Sequence, residues 1–377
     1  MMRRLRPFVT LSSLLLAGCV ETSMTFGEDT DRPGKDDTDG DADTDVDADT
    51  DTDADTDTDT DTDTDTDTDS DSDTDTDTDT DTDTDTDVDT GSTAYDCAKL
   101  PDFNLGDTTM TDARGYHGVS FDDDGNLLGW DGRNAVVKSA YDGTREVFVP
   151  GLRSVEQIDR LPDGDFVLAD GANARLLRVT PDGGSETLAS GVGYVYGVTV
   201  GPDGMVYIAD GGVARVDPAT GERTVLLPQP PSWTAHSLNF NLDSTRLYIG
   251  TIGRGDVFYF ELDADLNPVG TPVLLLNVTG TGWHDAVGVD VCDNVYITDY
   301  SSGGLYRVEP DLTVVQMVTI DRTLYGHGME WGSGLGGWRD DALYMPQPYN
   351  GSTIREVVLG IPDGDTVRTW NGVATPW

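Results

Sequence analysis

The sequence predicts an all-β fold, a six-bladed β-propeller preceded by a disordered Asp-Thr-rich tether. Three observations carry this prediction. A basic and apolar N-terminus ends at Cys19, Asp occupies every odd position from Asp39 to Asp89, and a unit of about 40 residues repeats after residue 115. We therefore divide the chain into residues 1–18, a signal peptide, residues 19–94, a tether, and residues 95–377, the propeller.

The N-terminus has the layout of a bacterial lipoprotein signal peptide. Its basic start, its apolar stretch and the final motif are Arg3, Arg4 and Arg6, then Phe8 to Leu16, then Leu16-Ala17-Gly18-Cys19. The apolar stretch is shorter than the roughly 18 residues that a membrane helix needs. The motif resembles a lipobox, which implies that Cys19 is acylated and anchors the exported protein. The absence of Asp after Cys19 favours the outer membrane, at its periplasmic face or at the cell surface. An ordinary signal peptide with a chance cysteine is the alternative.

The tether carries most of the net charge of the chain. Residues 29–90 contain 30 Asp against Arg32 and Lys35, so they contribute −28 of the total of −48. Asp disfavours strands, and the segment has almost no apolar side chains to bury, so we expect it to be disordered and extended. The domain is also acidic, which argues against a nucleic-acid partner. We expect a monomer that meets the membrane through its lipid anchor only.

Two cysteines remain after Cys19. Cys97 and Cys292 form an even pair in an exported and therefore oxidising setting, which predicts one disulfide between them. Two buried free thiols are the alternative.

The repeat predicts the blades. The segment GVTVGPDGMVYIADGGVARVDPATGERTVLL from Gly197 is similar to segments that begin at Asp159 and Val287. Each alternates apolar and polar residues and contains Asp-Gly or Pro-Asp turns, which predicts four antiparallel strands. A β-sandwich fits such regular turns poorly. A strand near Leu100 to Leu105 or near Asp365 to Trp370 would close the last blade. The six predicted blades are residues 115–149, 151–189, 191–227, 232–276, 280–320 and 323–370.

The register of the inner strands predicts which side chains meet at one mouth of the central channel. Five of them lie fourteen residues before Asp131, Asp170, Asp210, Gly250 and Asp299. The residue two places further on is apolar each time, which supports the register. The sixth comes from the string His327-Gly-Met-Glu-Trp. The six predicted residues are His117, Glu156, Tyr196, His236, Asp285 and His327.

The repeated units resemble the six-bladed superfamily of regucalcin, gluconolactonase and strictosidine synthase, with NHL and virginiamycin-lyase propellers similar in pattern. The resemblance covers about 260 residues and implies a channel metal held by Glu, Asn and Asp. By position Asp285 matches the Asp, whereas His117 replaces the Glu and His236 replaces the Asn. Mixed nitrogen and oxygen ligands suit Zn, Fe or Mn, and Ca is the further candidate. We expect His117, His236, Asp285 and His327 as ligands and Tyr196 in the channel lining.

Two functions follow from these expectations. The first is a metal-dependent hydrolase of the lactonase or esterase type, or a lyase, with His284 or Glu156 as the base. The second is a binding propeller on a long tether, which captures a small molecule, a glycan or a peptide. A water-filled polar channel rim without metal is the alternative to the metal site. Trp233, Trp283 and Trp331 could wall a pocket, stack on a sugar or pack in the core.

Overall fold

The computed structural model describes residues 95–102, 108–277, 282–319 and 326–374. The predicted signal peptide, lipidation at Cys19 and tether lie outside the described residues. In the described part the regular structure is almost entirely β-strand, and the described helices are two three-residue 3-10 turns, Gly171–Asn173 and Asp365–Val367. No helix among these residues is long and apolar enough to cross a membrane.

Six four-stranded antiparallel sheets confirm the six-bladed β-propeller. In blades I to V the four strands follow one another from the first, inner strand to the fourth, outer strand. The strands of blade I are Val119–Phe121, Leu127–Trp130, Ala135–Ser139 and Arg145–Pro150, and those of blade II are Val155–Arg160, Phe166–Asp170, Arg175–Val179 and Ser185–Ser190. The strands of blade III are Gly197–Val200, Val206–Ala209, Val213–Val216 and Arg223–Leu227, and those of blade IV are Thr234–Phe240, Arg246–Ile252, Asp256–Leu262 and Pro268–Asn277. The strands of blade V are His284–Val289, Val295–Asp299, Gly304–Val308 and Val314–Thr319.

Blade VI is completed from the other end of the chain. Its first three strands are Glu330–Trp331, Ala342–Gln347 and Thr353–Val358, and Thr108–Thr111 pairs with the third as the outer strand. The N-terminal side therefore closes the ring, but with a later segment than Leu100 to Leu105. Asp365 to Trp370 does not close it, because this segment forms a 3-10 turn and one strand of a separate hairpin, Thr369–Trp370 with Val373–Ala374.

The core consists of apolar layers between neighbouring blades. Each of the six clusters of buried apolar side chains joins two successive sheets, including the sixth sheet and the first. At that last seam the Trp338 ring packs edge-on against Phe121, Tyr141 and Tyr344. Each sheet thus buries both faces against its neighbours, and a closed ring leaves no sheet face unpaired.

One carboxylate links the parts that meet at the seam. Glu356, in the third strand of blade VI, accepts hydrogen bonds from Thr109 of the closing strand, Tyr141 of blade I and Tyr344 of its own blade. The side chain is buried. Three hydroxyl groups from three segments thus share one acceptor.

The predicted disulfide is present. Cys97 is bonded to Cys292, in the turn between the first two strands of blade V, with 5.5 Å between their Cα atoms. It closes a loop with a sequence separation of 195 residues. Tyr95 adds a hydrogen bond from its hydroxyl group to the Gly360 carbonyl.

Replacement of Glu356 tests the seam. Glu356→Ala leaves three hydroxyl donors without their acceptor, so we expect the free energy of unfolding to fall by about 1 to 3 kcal/mol. Glu356→Gln keeps an acceptor oxygen and should lose less. Urea unfolding followed by tryptophan fluorescence measures both variants, and an equal loss in the two would contradict a role as shared acceptor.

Reduction of the disulfide tests its contribution to stability. Because the closed loop is long, we expect the double variant Cys97→Ser/Cys292→Ser to lose about 2 to 5 kcal/mol of unfolding free energy. Thermal unfolding with and without reductant measures this effect. The wild-type protein should become less stable in reductant, whereas the double variant should not respond to it.

Candidate functional site

The six predicted channel residues lie at the starts of the six inner strands. Glu156, His236 and Asp285 lie in the first strands of blades II, IV and V, and His117, Tyr196 and His327 precede those of blades I, III and VI. We call these six residues the axial cluster. Five direct contacts connect all six of them in a chain that runs from Glu156 to Tyr196, and Tyr194 contacts both ends of that chain.

Bulges in three inner strands fall on the cluster residues. The pairing with the second strand shifts between Val155 and Ile158, between Ala235 and Ser237, and between His284 and Ala286. An unpaired residue in a bulge turns its side chain away from the regular alternation. The bulges therefore aim Glu156, His236 and Asp285, a feature that the sequence pattern did not reveal.

Glycines next to the cluster let the inner strands approach one another closely. A Cβ on Gly118 would lie 2.9 Å from the Gln157 Cα atom of blade II, and one on Gly328 would lie 3.0 Å from the Gly118 Cα atom. The Gly118 amide donates to the Glu156 carbonyl at 2.9 Å. Because no side chain fits there, the residues before these two glycines, His117 and His327, come together at the axis.

Glu156 is bound by three donors at one side of the cluster. Its carboxylate contacts His117 Nδ1 and accepts hydrogen bonds from the Ser154 and Tyr194 hydroxyl groups. Burial alone would raise the pKa of Glu156, but the hydrogen bond and the charge of His117, with the two hydroxyl donors, bring it below the usual value. Glu156 is thus a charged group that orients His117.

Asp285 lies at the opposite side of the cluster between two imidazoles. Its oxygens are 3.2 Å from His236 Nδ1 and 3.7 Å from His327 Nε2. The side chain is only 2% exposed, and neither oxygen accepts a hydrogen bond of good geometry from the described residues. Burial, and then the negative charges of Asp299 and Glu156, raise its pKa well above the usual value.

Contacts between aromatic rings connect the rest of the axial cluster. The His117 and His327 rings are 4.6 Å apart, and the Tyr196 and His236 rings are 4.8 Å apart. Burial, and then the nearby charge of His117, lower the pKa of His236 to about 4 and that of His327 to about 2. Both rings are therefore neutral at neutral pH.

The predicted role of His284 does not fit its position. Its side chain is fully buried. A Cβ on Gly250, in the neighbouring blade, would lie 2.9 Å from its Cβ atom. A base must contact the ligand or a water molecule, so we assign His284 to the packing between blades IV and V.

Five aromatic side chains surround the cluster, and we call them the aromatic collar. Three are well exposed, Tyr194 and Trp283 at 43% and Tyr349 at 61%, and Tyr116 and Tyr300 are half-buried. Each contacts the cluster, with ring centroids 4.8 Å apart for Tyr116 and His117, 4.7 Å for Tyr194 and Tyr196, 6.3 Å for Trp283 and His236, 4.2 Å for Tyr300 and His327, and 6.0 Å for Tyr349 and His327. Of the tryptophans that the sequence singled out, Trp331 packs in the core, Trp233 lines a groove on the same face, and Trp283 belongs to the collar.

A cavity of about 710 Å³ lies further along the same inner strands, at the other end of the channel. It contains acidic side chains from blade II, blade VI and the C-terminal segment, namely Asp159, Glu330, Asp363 and Asp365. Burial raises the pKa of Asp159 to about 7. The acidic side chains of this cavity and the imidazoles of the mouth thus lie at opposite ends of the channel.

Comparisons with known proteins place the fold. No protein-family model and no curated protein matches the chain. Among solved structures, a gluconolactonase from Xanthomonas campestris has a TM-score of 0.56 at 15% identity, covering 70% of this chain and 95% of its own. Regucalcin, a calcium-binding protein from Agrobacterium tumefaciens, gives 0.55 at 14%, covering 67% and 94%. An auxiliary nutrient binding protein from Bacteroides thetaiotaomicron gives 0.52 at 15%, covering 68% and 74%. These likenesses agree with the predicted superfamily at the level of the fold.

Proton titration tests the environment of the two buried imidazoles. Their pKa values in the folded protein lie below the ordinary value of 6.5, so the unfolded chain binds more protons between about pH 4 and 6.5. Their contribution to stability is therefore fully present above pH 6.5 and is lost as the pH falls, toward about 4 for His236 and toward about 2 for His327. Asp285, with its raised pKa, contributes in the opposite direction.

The chain has four histidines, so their C2 proton resonances can be followed singly by NMR in chelator-treated protein. We expect the His236 and His327 signals to stay at their neutral position down to about pH 5, whereas all four should titrate near 6.5 in urea-unfolded chain. Folded-state midpoints near 6.5 would contradict the burial described.

Proposed function

We propose that the axial cluster binds one divalent metal ion through His117, His236, His327 and Asp285. We further propose that the protein uses this ion to hydrolyse a small ester or lactone outside the cytoplasm, or to cleave a related metabolite as a lyase. The observation that carries the proposal is the Asp285 carboxylate, which is buried beside two imidazoles and accepts no hydrogen bond of good geometry from the residues that the structure describes.

A buried carboxylate without a partner is unfavourable. The charges that act most strongly on Asp285 belong to Asp299 and Glu156, and both are negative. His327 Nε2 is also buried without a hydrogen-bond partner among the described residues. Burial of a charge costs much free energy unless it is paired or coordinates a metal. A cation beside Asp285 would satisfy its two oxygens and the His327 nitrogen together.

The donor set fits a transition metal better than calcium. Three imidazoles with one carboxylate suit Zn, Fe or Mn, whereas calcium takes oxygen ligands. In the described ranges no group of three or more His, Cys, Asp or Glu side chains has the geometry of a preformed metal centre. The proposal therefore requires imidazole side chains to turn toward the ion when it binds.

Glu156 has a positioning role in this proposal. Its contact with His117 Nδ1 would leave Nε2 as the free nitrogen and fix the ring, as carboxylates do for metal-bound histidines. Tyr194 and Ser154 in turn hold Glu156. When bound, a metal of this kind polarises a carbonyl group and lowers the pKa of water. The names of the gluconolactonase and regucalcin neighbours support hydrolysis and metal binding as a class.

The cellular setting is part of the proposal and is supported by sequence alone. We propose that the chain is exported, acylated at Cys19 and held at the outer membrane as a monomer. The tether of residues 19–94 would carry the propeller away from the bilayer.

Binding without catalysis is the second candidate function. It is supported by the exposed aromatic collar and by the fold likeness to a protein named as nutrient-binding. In this version the ligand would still bind after chelation and after replacement of the axial histidines.

Metal titration tests the first candidate. We expect purified protein to bind about one Zn²⁺ or Co²⁺ per chain, with visible Co²⁺ absorption and a higher melting temperature. Asp285→Asn and His327→Ala should each weaken binding by about tenfold or more. Glu186→Gln, an exposed carboxylate on the outer strand of blade II, is the control and should bind like wild type. If no metal binds stoichiometrically, the metal site is wrong.

A further inference from the structure

A surface groove lies beside the channel mouth. This open groove has a volume of about 420 Å³ and lies over blade IV. Its side chains include Gln229, Pro231, Trp233, Ile252 and Arg254. Ile252 forms a β-bridge with Trp283 of the collar, so the groove and the collar are adjacent.

We propose that the aromatic collar and this groove together bind a neutral oligosaccharide chain. One sugar ring would lie over the axial cluster, and the chain would extend along Trp283 toward Trp233. Any reaction of the bound sugar at the axis rests on the proposed function. The binding itself does not, because the collar and the groove would provide it.

The aromatic rings provide faces for stacking. The Trp283 and Tyr300 ring centroids are 6.0 Å apart, and those of Tyr300 and Tyr349 are 5.9 Å apart. Three well-exposed aromatic residues at one site exceed the scattered single apolar residues of an ordinary surface. The C–H faces of a sugar ring are weakly positive and pair with the negative faces of aromatic rings.

Polar groups at the same place match sugar hydroxyl groups. The collar has four tyrosine hydroxyl groups, and the groove adds the Gln229 amide, which donates to Thr234. A purely aromatic ligand would remove these groups from water without offering hydrogen bonds in return, which costs free energy. A hydroxylated ring satisfies both the apolar faces and the polar edges.

Charge at the mouth selects against anionic ligands. The carboxyl groups of Glu156 and Asp285 lie below the collar, where each contacts an axial imidazole. In the groove, Arg254 is 3.2 Å from Asp256 and so is partly neutralised. A polymer of sugar acids would bring further negative charge to this place. The chemistry therefore favours uncharged sugars.

Calorimetry on the full-length, chelator-treated protein tests the proposal. The probes are cellohexaose, mannohexaose, xylohexaose and maltohexaose, with glucose, hexagalacturonate and phenol for comparison. We expect at least one neutral hexasaccharide to bind about tenfold more tightly than glucose and than hexagalacturonate. Failure of the whole neutral panel at millimolar concentrations, or binding of phenol alone, would overturn the proposal.

Variants separate the collar from the groove. Trp283→Ala should weaken hexasaccharide binding by about tenfold, and Trp233→Ala should weaken the hexasaccharide but not the matching disaccharide. Both tryptophan substitutions leave the backbone contacts in place. Leu274→Ala, 51% exposed on the outer strand of blade IV, is the control and should bind like wild type. Unchanged binding in Trp283→Ala would contradict the site.

The outcome is independent of the metal proposal. Sugar binding by chelator-treated protein that takes up no metal would refute the metal site and leave this inference in place. Metal uptake with no sugar binding would refute this inference and leave the metal site in place.

Discussion

The structure depends on face-to-face packing between neighbouring sheets around a closed ring. Each apolar layer is shared by two blades, so no blade has a core of its own. The arrangement is stable only if the sixth layer forms, where the two ends of the repeat meet. Trp338 fills that layer, and Glu356 joins the closing strand to blades I and VI at the same seam. The ends of the domain thus determine whether its middle is stable.

Closure also produces the site. Because the blades repeat around one axis, a residue at or just before the start of each inner strand reaches the same mouth, and residues far apart in sequence become neighbours. The bulges at Glu156, His236 and Asp285 then turn side chains that regular pairing would direct elsewhere. Two carboxylates and three imidazoles are brought together at low exposure in this way. Burial is the largest cause of the lowered pKa values of His236 and His327, and the charge of His117 is the next.

Repetition made much of this predictable. The six blades, the six channel residues and the disulfide follow from turn spacing, register and cysteine number. The closing strand Thr-Thr-Met-Thr was missed because it lacks the apolar alternation that marks the other strands. The bulges leave no residue signature, and the sequence pattern does not show that the His284 side chain is fully buried. Trp283 of the collar was anticipated as a possible pocket wall, whereas the four tyrosines were missed because they come from loops of different blades.

The bond between Cys97 and Cys292 also has a mechanical consequence. Cys97 precedes the closing strand in the chain, and Cys292 lies in a turn of blade V at the far end of its inner strand from Asp285. A pull on the chain before Cys97 is therefore transmitted through a covalent bond to the body of the ring. The hydrogen bonds of Thr108–Thr111 do not carry that load, so the pull does not break them one after another from the end of the strand. The load thus enters at the end of the ring remote from the histidines.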